Sequence, residues 1–335
     1  MITEKLAREN ETVVKSFDEG MKLADTDFLV EETIVDLADL SLNEFGSISC
    51  GGDEYQITDW AFESLCSLLK IPKEFARTIP TELLLQNFER LKVEKNKKVN
   101  MFISRNTVIN LIEAPYFPTK NKDLLIRLNN VAGELSLGVN EIRTSDRGMV
   151  LSFLKEGLSL EPMPGDITRF GINIQNSETG YRGAKANFYL LRLVCTNGAV
   201  ASNNWGSVKL DYDARISRER SLSNFIEGIK KLGVDFKKFN DFYNGLINRE
   251  LKAYEFINIW RRLSRVVGNE EADRISMVSQ DVRNHLNKEV REGNRLLPTG
   301  VALYNLYNAV TEAARRHQFI QRQNLEVLGG ALIDL

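Results

Sequence analysis

The chain has 335 residues, 43% of them hydrophobic and 27% charged, and a formal net charge of −2. That composition fits one large globular domain or two smaller ones and excludes global disorder. It also excludes a strongly basic duplex-binding domain. No run approaches the roughly 18 apolar residues that span a bilayer, so no membrane is expected. Met1-Ile2-Thr3-Glu4-Lys5 carries no apolar signal core, which makes the cytoplasm the expected location. Three cysteines (Cys50, Cys66, Cys195) and two histidines (His285, His317) are too few and too scattered for a disulfide framework or a four-ligand zinc site. No metal and no cofactor is expected. The charge is unevenly placed. Residues 1–205 carry 23 Lys and Arg against 29 Asp and Glu, a net of −6; residues 206–335 carry 21 against 17, a net of +4.

In chain order, the sequence predicts a polar helix through Leu23, then short β runs at Phe28-Leu29-Val30 and Ile34-Val35, broken by Gly46, Gly51 and Gly52. Thr58 is placed to cap a helix carrying Trp60, Ala61, Leu65, Leu68 and Leu69, which Pro72 stops. A second helix runs from Thr81 to about Leu91, followed by a charged, exposed connection from Lys92 to Asn100. Val99–Ser104 and Thr107–Glu113 read as a hairpin around Arg105-Asn106, and Leu124–Leu135 as a helix. Ile142–Thr144 and Met149–Phe153 flank a turn at Ser145-Asp146-Arg147-Gly148.

Phe170-Gly171-Ile172-Asn173-Ile174 alternates like a half-buried strand, Asn187–Val194 reads as a strand, and Val208–Asp213 alternates again. Beyond Ala214 the chain reads as helical, with Phe225, Ile229 and Leu232, then Tyr254, Ile257 and Trp260, at helical spacing. A last strong helix spans Val301–Phe319, opened by Pro298-Thr299-Gly300. The expected fold class is α+β: a mixed N-terminal segment over residues 1–95, a central antiparallel β-rich module over 96–213 and a helical C-terminal region over 214–335, which can pack as one domain.

Three blocks carry a resemblance. The first is Ile71-Pro72-Lys73-Glu74-Phe75 with Ile79-Pro80. The second is Gly171-Ile172-Asn173-Ile174-Gln175-Asn176-Ser177-Glu178-Thr179-Gly180, running on to Arg192-Leu193-Val194-Cys195-Thr196-Asn197-Gly198. The third is Leu306-Tyr307-Asn308-Ala309-Val310-Thr311 with Leu328-Gly329-Gly330. On these the chain resembles the phage- and plasmid-encoded proteins grouped as domain of unknown function 932. None of the three blocks falls within residues 1–50 or 214–298. The resemblance implies a mobile genetic element and a bacterial host cytoplasm, and it implies no activity.

Two sets of side chains are candidates for a site. The polar cluster Asn176, Ser177, Glu178, Asn197, Asn308 and Thr311 comes from the resembling blocks. Its first three members stand on a turn before Gly180, where they either meet a ligand or satisfy the turn itself, with Glu178 free to pair with Arg192. Tyr304, Asn308, Thr311 and Arg315 fall along one helical stripe.

The second set is cationic and aromatic: Arg169, Tyr181, Arg182, Lys185, Arg192, Trp205, Lys209 and Arg215, interleaved with Phe170, Phe188, Tyr189 and Tyr212 and extended by Arg218 and Arg220. Single-strand binders combine backbone-tracking cations with aromatic stacking platforms. The bland alternative puts the aromatics in the core and the cations on solvated edges. Cys195 reads as a core thiol rather than a nucleophile.

The expected function is a non-enzymatic nucleic-acid-binding protein, single-stranded nucleic acid favoured, acting in annealing or as a replication accessory and as a homo-oligomer. The alternative is a protein-interaction module that binds or inhibits a host defence or regulatory protein. A lesser alternative is a Mg²⁺-dependent nuclease built on Asp166, Glu178, Asp211 and Asp213, the last two sharing one strand face.

Overall fold

A computed structural model describes residues 6–7, 10–26, 28–95, 97–163, 165–193, 197–200, 206–210, 217–232, 245–247 and 249–332. The chain divides into two compact units, each gathered from separate stretches. Unit 1 holds Met1–Ile126, Ile142–Val150 and Gln175–Ala184; unit 2 holds Arg127–Glu141, Leu151–Ile174 and Lys185–Leu335.

Unit 1 begins with strand β1 (Glu11–Val14) and helix α1 (Phe17–Asp25). The single helix read from the sequence is therefore two elements. Ser16 separates them, because its hydroxyl accepts the Glu19 N–H and caps α1. The next strand, β2 (Glu31–Asp36), starts after Phe28–Val30 rather than within it, and the Phe28 ring is buried instead. Then come a 3-10 turn (Leu37–Asp39), β3 (Ser41–Leu42), β4 (Ser47–Cys50), β5 (Asp53–Ile57), α2 (Asp59–Leu69), α3 (Lys73–Thr78), α4 (Thr81–Lys95), β6 (Lys98–Ser104) and β7 (Thr107–Glu113). Thr58 caps α2 as its sequence position predicts, its hydroxyl accepting the Ala61 N–H at 3.1 Å.

The two-residue turn between β6 and β7 has both residues at positive φ, Arg105 at 48° and Asn106 at 61°, the geometry that matches hairpin twist. A six-stranded sheet forms in the order β2-β6-β7-β5-β4-β3, with β5 parallel to β7. Its core includes Ile57, Phe62, Leu65, Phe88, Val99, Met101 and Leu111.

The expected exposed connection from Lys92 is corrected. Helix α4 continues to Lys95, and Lys92 follows Leu84 and Phe88 at spacing i, i+4, i+8 on the buried face. Burying that amine is tolerable because it donates to the Leu40 carbonyl at 2.7 Å and pairs with Glu89 at 2.7 Å.

Helix α5 (Asn121–Leu135) and strands β8 (Leu137–Ser145), β9 (Gly148–Met163) and β10 (Asp166–Asn176) each carry the chain from one unit into the other. Strands β11 (Lys185–Arg192), β12 (Asn197–Val200) and β13 (Ser207–Lys209) follow. The sheet order is β1-β8-β9-β10-β11-β12, with β13 also paired to β11.

Unit 2 continues with α6 (Arg218–Lys231), β14 (Glu250–Lys252), α7 (Ala253–Val267), α8 (Asn269–Ser276), α9 (Gln280–Arg291), β15 (Pro298–Ala302), α10 (Leu303–Ala314) and α11 (Phe319–Leu332). Two sequence expectations change here. Pro298–Ala302 is a strand paired with β14, and the helix read over Val301–Phe319 spans only Leu303–Ala314, with a further helix at Phe319–Leu332. The core of unit 2 includes Phe170, Leu190, Phe256, Ile257, Leu306, Tyr307, Val310 and Leu325.

The stretch Phe170–Ile174 is not half-buried, although Ile167 and Arg169 before it on β10 are exposed. Thr168, Phe170, Ile172, Asn173 and Ile174 are all buried, as is every residue of 186–191. Asn173 offsets its burial by donating to Ser152 at 3.0 Å, whereas the Asn187 side-chain oxygen on β11 is buried without a partner among the described residues. The fold is α+β. No helix among the described residues is long and apolar enough to cross a membrane.

Candidate functional site

The loop that follows β10 lies in unit 1 and turns its polar side chains inward. Asn176, Ser177, Glu178 and Thr179 are 3%, 1%, 6% and 1% exposed. Each has a bonded reason to be there. The Asn176 amide donates to the Thr119 carbonyl and to the Asn121 side-chain oxygen, both at 2.8 Å. Asn121 in turn donates its backbone N–H to Glu178 Oε2 at 3.0 Å and its side-chain amide to Oε1 at 3.2 Å. Ser177 donates to the Arg147 carbonyl at 2.6 Å and accepts the Tyr181 N–H at 2.8 Å. Thr179 donates to the Asp146 carbonyl at 2.9 Å, and Asn110 donates to the Thr179 carbonyl at 2.7 Å. The sequence offered Arg192 as the partner of Glu178; the carboxylate engages Asn121 instead.

Burial raises the Glu178 pKa above the ordinary glutamate value, while the Asn121 N–H and the Lys120 charge pull the other way and are outweighed. A cavity of about 10 Å³, lined by Glu178, Asp146, Asn121 and Ser145 among others, adjoins the carboxylate. That is room for about one water. Close approach of backbone makes the arrangement tight. A Cβ on Gly148, whose φ is 154°, would come within 2.4 Å of the Asn176 carbonyl oxygen, and one on Gly180, at φ 83°, within 1.9 Å of Ile112 Cδ1.

This network fixes what comes next in the chain. Tyr181 and Arg182 leave the buried loop and are half-buried. The Tyr181 ring meets Trp60 edge to face, with centroids 5.6 Å apart and planes at 89°. Arg147 lies 5.5 Å from the centroids of both rings, and Arg182 lies 5.0 Å from that of Tyr181. Two guanidinium groups and two aromatic rings thus form one cation–π cluster. Its members come from the start of α2, the β8–β9 turn and the loop after β10. Trp60 is only 8% exposed, so the ring that a base or another planar group can meet is that of half-buried Tyr181, with the guanidinium groups beside it.

The other sequence candidates lie elsewhere. Arg169, Lys185, Arg192 and Lys209 belong to unit 2. Arg169 and Lys209 are exposed, and Lys185 faces Lys209 directly across the β11–β13 pair. Arg192 stands opposite Asn197 at the β11–β12 end. Trp205, Tyr212 and Arg215 lie outside the described residues, as do Cys195, Asp211 and Asp213.

Phe170, Phe188 and Tyr189 are 1–2% exposed, so they are core rather than stacking platforms. Thr311 is buried and bonds back to the Tyr307 and Asn308 carbonyls at 3.0 and 3.1 Å, which is helix-internal satisfaction. Among the described residues no group of three or more His, Cys, Asp or Glu side chains is placed to hold a metal ion. Cys66 is a buried thiol pushed up to about 11 by desolvation.

Sequence reading missed Trp60, Asn121, Asp146 and Arg147 as partners of this loop. A turn signal was visible at Ser145–Gly148, but nothing local ties it to Tyr181.

With the geometry in view, comparison adds a family and nothing more. The family model described as "Domain of unknown function (DUF932)" matches residues 155–328. Neither a curated protein nor a solved structure matches the chain.

Proposed function

We propose a function for a chain that belongs to the domain of unknown function family DUF932: it binds single-stranded nucleic acid without catalysing a reaction on it. In this reading it serves a phage or plasmid as an annealing or replication accessory and works as a homo-oligomer. One observation carries the proposal, the Trp60–Arg147–Tyr181–Arg182 cluster held beside a buried polar network in which the Asn176 and Asn110 side-chain oxygens alone find no partner among the described residues. Stacking on an aromatic face tolerates any base and contributes roughly 1–3 kcal/mol per base. The flanking guanidinium groups suit phosphate, which they bind as planar donor forks. Rigidity of the loop also favours binding, because little ordering entropy remains to be lost. Glu178 supports a scaffold role better than a catalytic one, since both its oxygens engage Asn121.

Fluorescence anisotropy of labelled single-stranded and duplex oligonucleotides tests the proposal. The expected result is binding at low salt that weakens steadily as salt rises and that favours the single strand. Absence of single-strand affinity at low salt, where phosphate attraction is strongest, would refute it.

A further inference from the structure

Unit 2 contains a second feature that the nucleic-acid reading does not use. The end of α5, the start of β8, strands β9 to β11 and the end of α6 line a pocket of about 170 Å³ that is open to solvent on one side. Its wall is mainly apolar, formed by Leu137, Leu158, Phe170, Ile172 and Phe188 with neighbouring leucines.

Two cations reach this cavity, and they differ. Lys230 is neutralised: its ammonium lies 2.7 Å from Glu134 and 3.6 Å from Glu227. Lys155 bonds only the Leu135 carbonyl, and no carboxylate of the described residues is within ion-pair distance of it. An ammonium has three donors, so two remain for a guest. A mostly apolar wall with one uncompensated positive charge is complementary to an apolar body with a single anionic head.

We propose that this cavity binds a small monoanionic amphiphile, an aliphatic carboxylate whose chain lies against Leu158, Phe170 and Phe188 and whose head meets Lys155. The carboxylate is the preferred head because it accepts two N–H bonds from one ammonium and cannot itself donate. A phosphate monoester brings a second charge for which the wall offers no partner.

Calorimetric titration of the full chain with octanoate, 1-octanol and octylamine, all below their aggregation limits, tests this. The three probes share a chain and differ only in the head. Octanoate is expected to bind about tenfold or more tightly than 1-octanol, and octylamine most weakly. Lys155→Met retains the apolar stem and removes the charge. It is expected to bring octanoate down to the octanol level and leave octanol unchanged. Leu158→Trp, which fills the space, is expected to abolish both.

Equal affinity for octanoate and octanol, binding of none of the three, or undiminished octanoate binding in Lys155→Met overturns the proposal. If Lys155→Met does not fold, the head-group series on the wild-type chain decides alone.

Discussion

Two neighbouring stretches of this chain treat polar residues in opposite ways. In unit 1, Asn176–Thr179 buries an amide, two hydroxyls and a carboxylate, each bonded to backbone or to Asn121. In unit 2, Lys185 and Lys209 sit directly opposite each other on paired strands, with Lys209 exposed. The first arrangement is largely satisfied from within, only the Asn176 and Asn110 side-chain oxygens lacking a partner among the described residues, and removing a bonded member leaves a buried group unpaired at a cost in stability. The second sets two cationic residues directly opposite each other across paired strands, an arrangement that like charge disfavours. Residue type alone predicts neither behaviour.

The sharpest way to break the buried network is to crowd it. Gly148→Ala places a methyl 2.4 Å from a carbonyl oxygen at a φ of 154°, and a loss of about 4 kcal/mol in unfolding free energy is expected from strain and overpacking together. Urea denaturation measures it; a loss below about 1 kcal/mol would mean that the loop yields and is not tight. Asn121→Ala keeps the backbone N–H but takes one donor from Glu178 and one acceptor from Asn176. About 2–3 kcal/mol is expected in the same assay. By contrast Tyr181→Ala, at the edge of the network, is expected to cost less than about 1 kcal/mol in stability while weakening single-strand binding by about 1–3 kcal/mol.

Titration of Glu178 gives a prediction whose sign distinguishes a buried carboxyl from an ion-paired one. Burial raises its folded-state pKa above 4.5, so between that value and the raised one the native chain holds more proton than the unfolded chain. Stability from this group is therefore full below about pH 4.5 and is lost as pH rises through the raised value. Relative to Glu178→Gln, which cannot ionise, the wild type should lose stability on going up from pH 4.5. A relative gain in that direction would place Glu178 in an ion pair. The smallest effect lies in unit 2. Lys209→Glu puts an opposite charge across from Lys185 and should raise stability by no more than about 0.5 kcal/mol in the same urea assay.

Local features of the fold were readable because local chemistry sets them. Thr58 announces a helix start, Arg105-Asn106 sits where a two-residue hairpin turn belongs, and Ser145–Gly148 marks the next turn. Lys92 was misplaced because its charge outweighed its position behind Leu84 and Phe88, and its acceptor lies far back in the chain at Leu40. Phe170, Phe188 and Tyr189 were open to two readings because alternation shows two faces but not whether both are covered.

The site was legible by half. Tyr181, Arg182 and the Asn176–Gly180 turn stood out, whereas Trp60, Asn121 and Arg147 join them only through long-range contacts. The two units are each assembled from separated stretches, so no composition shift along the chain marks their boundaries.

Single-strand affinity at low salt, compared across wild type, Tyr181→Phe, Tyr181→Ala and Lys185→Ala/Lys209→Ala, tests the central claim most directly. Circular dichroism of each variant establishes that the fold is kept. The account predicts that Tyr181→Phe, which keeps the ring, stays within about twofold of wild type. Tyr181→Ala should lose about tenfold or more, and the lysine pair should change mainly the salt dependence. Wild-type affinity in a folded Tyr181→Ala would contradict it and remove the cation–aromatic cluster from the binding surface.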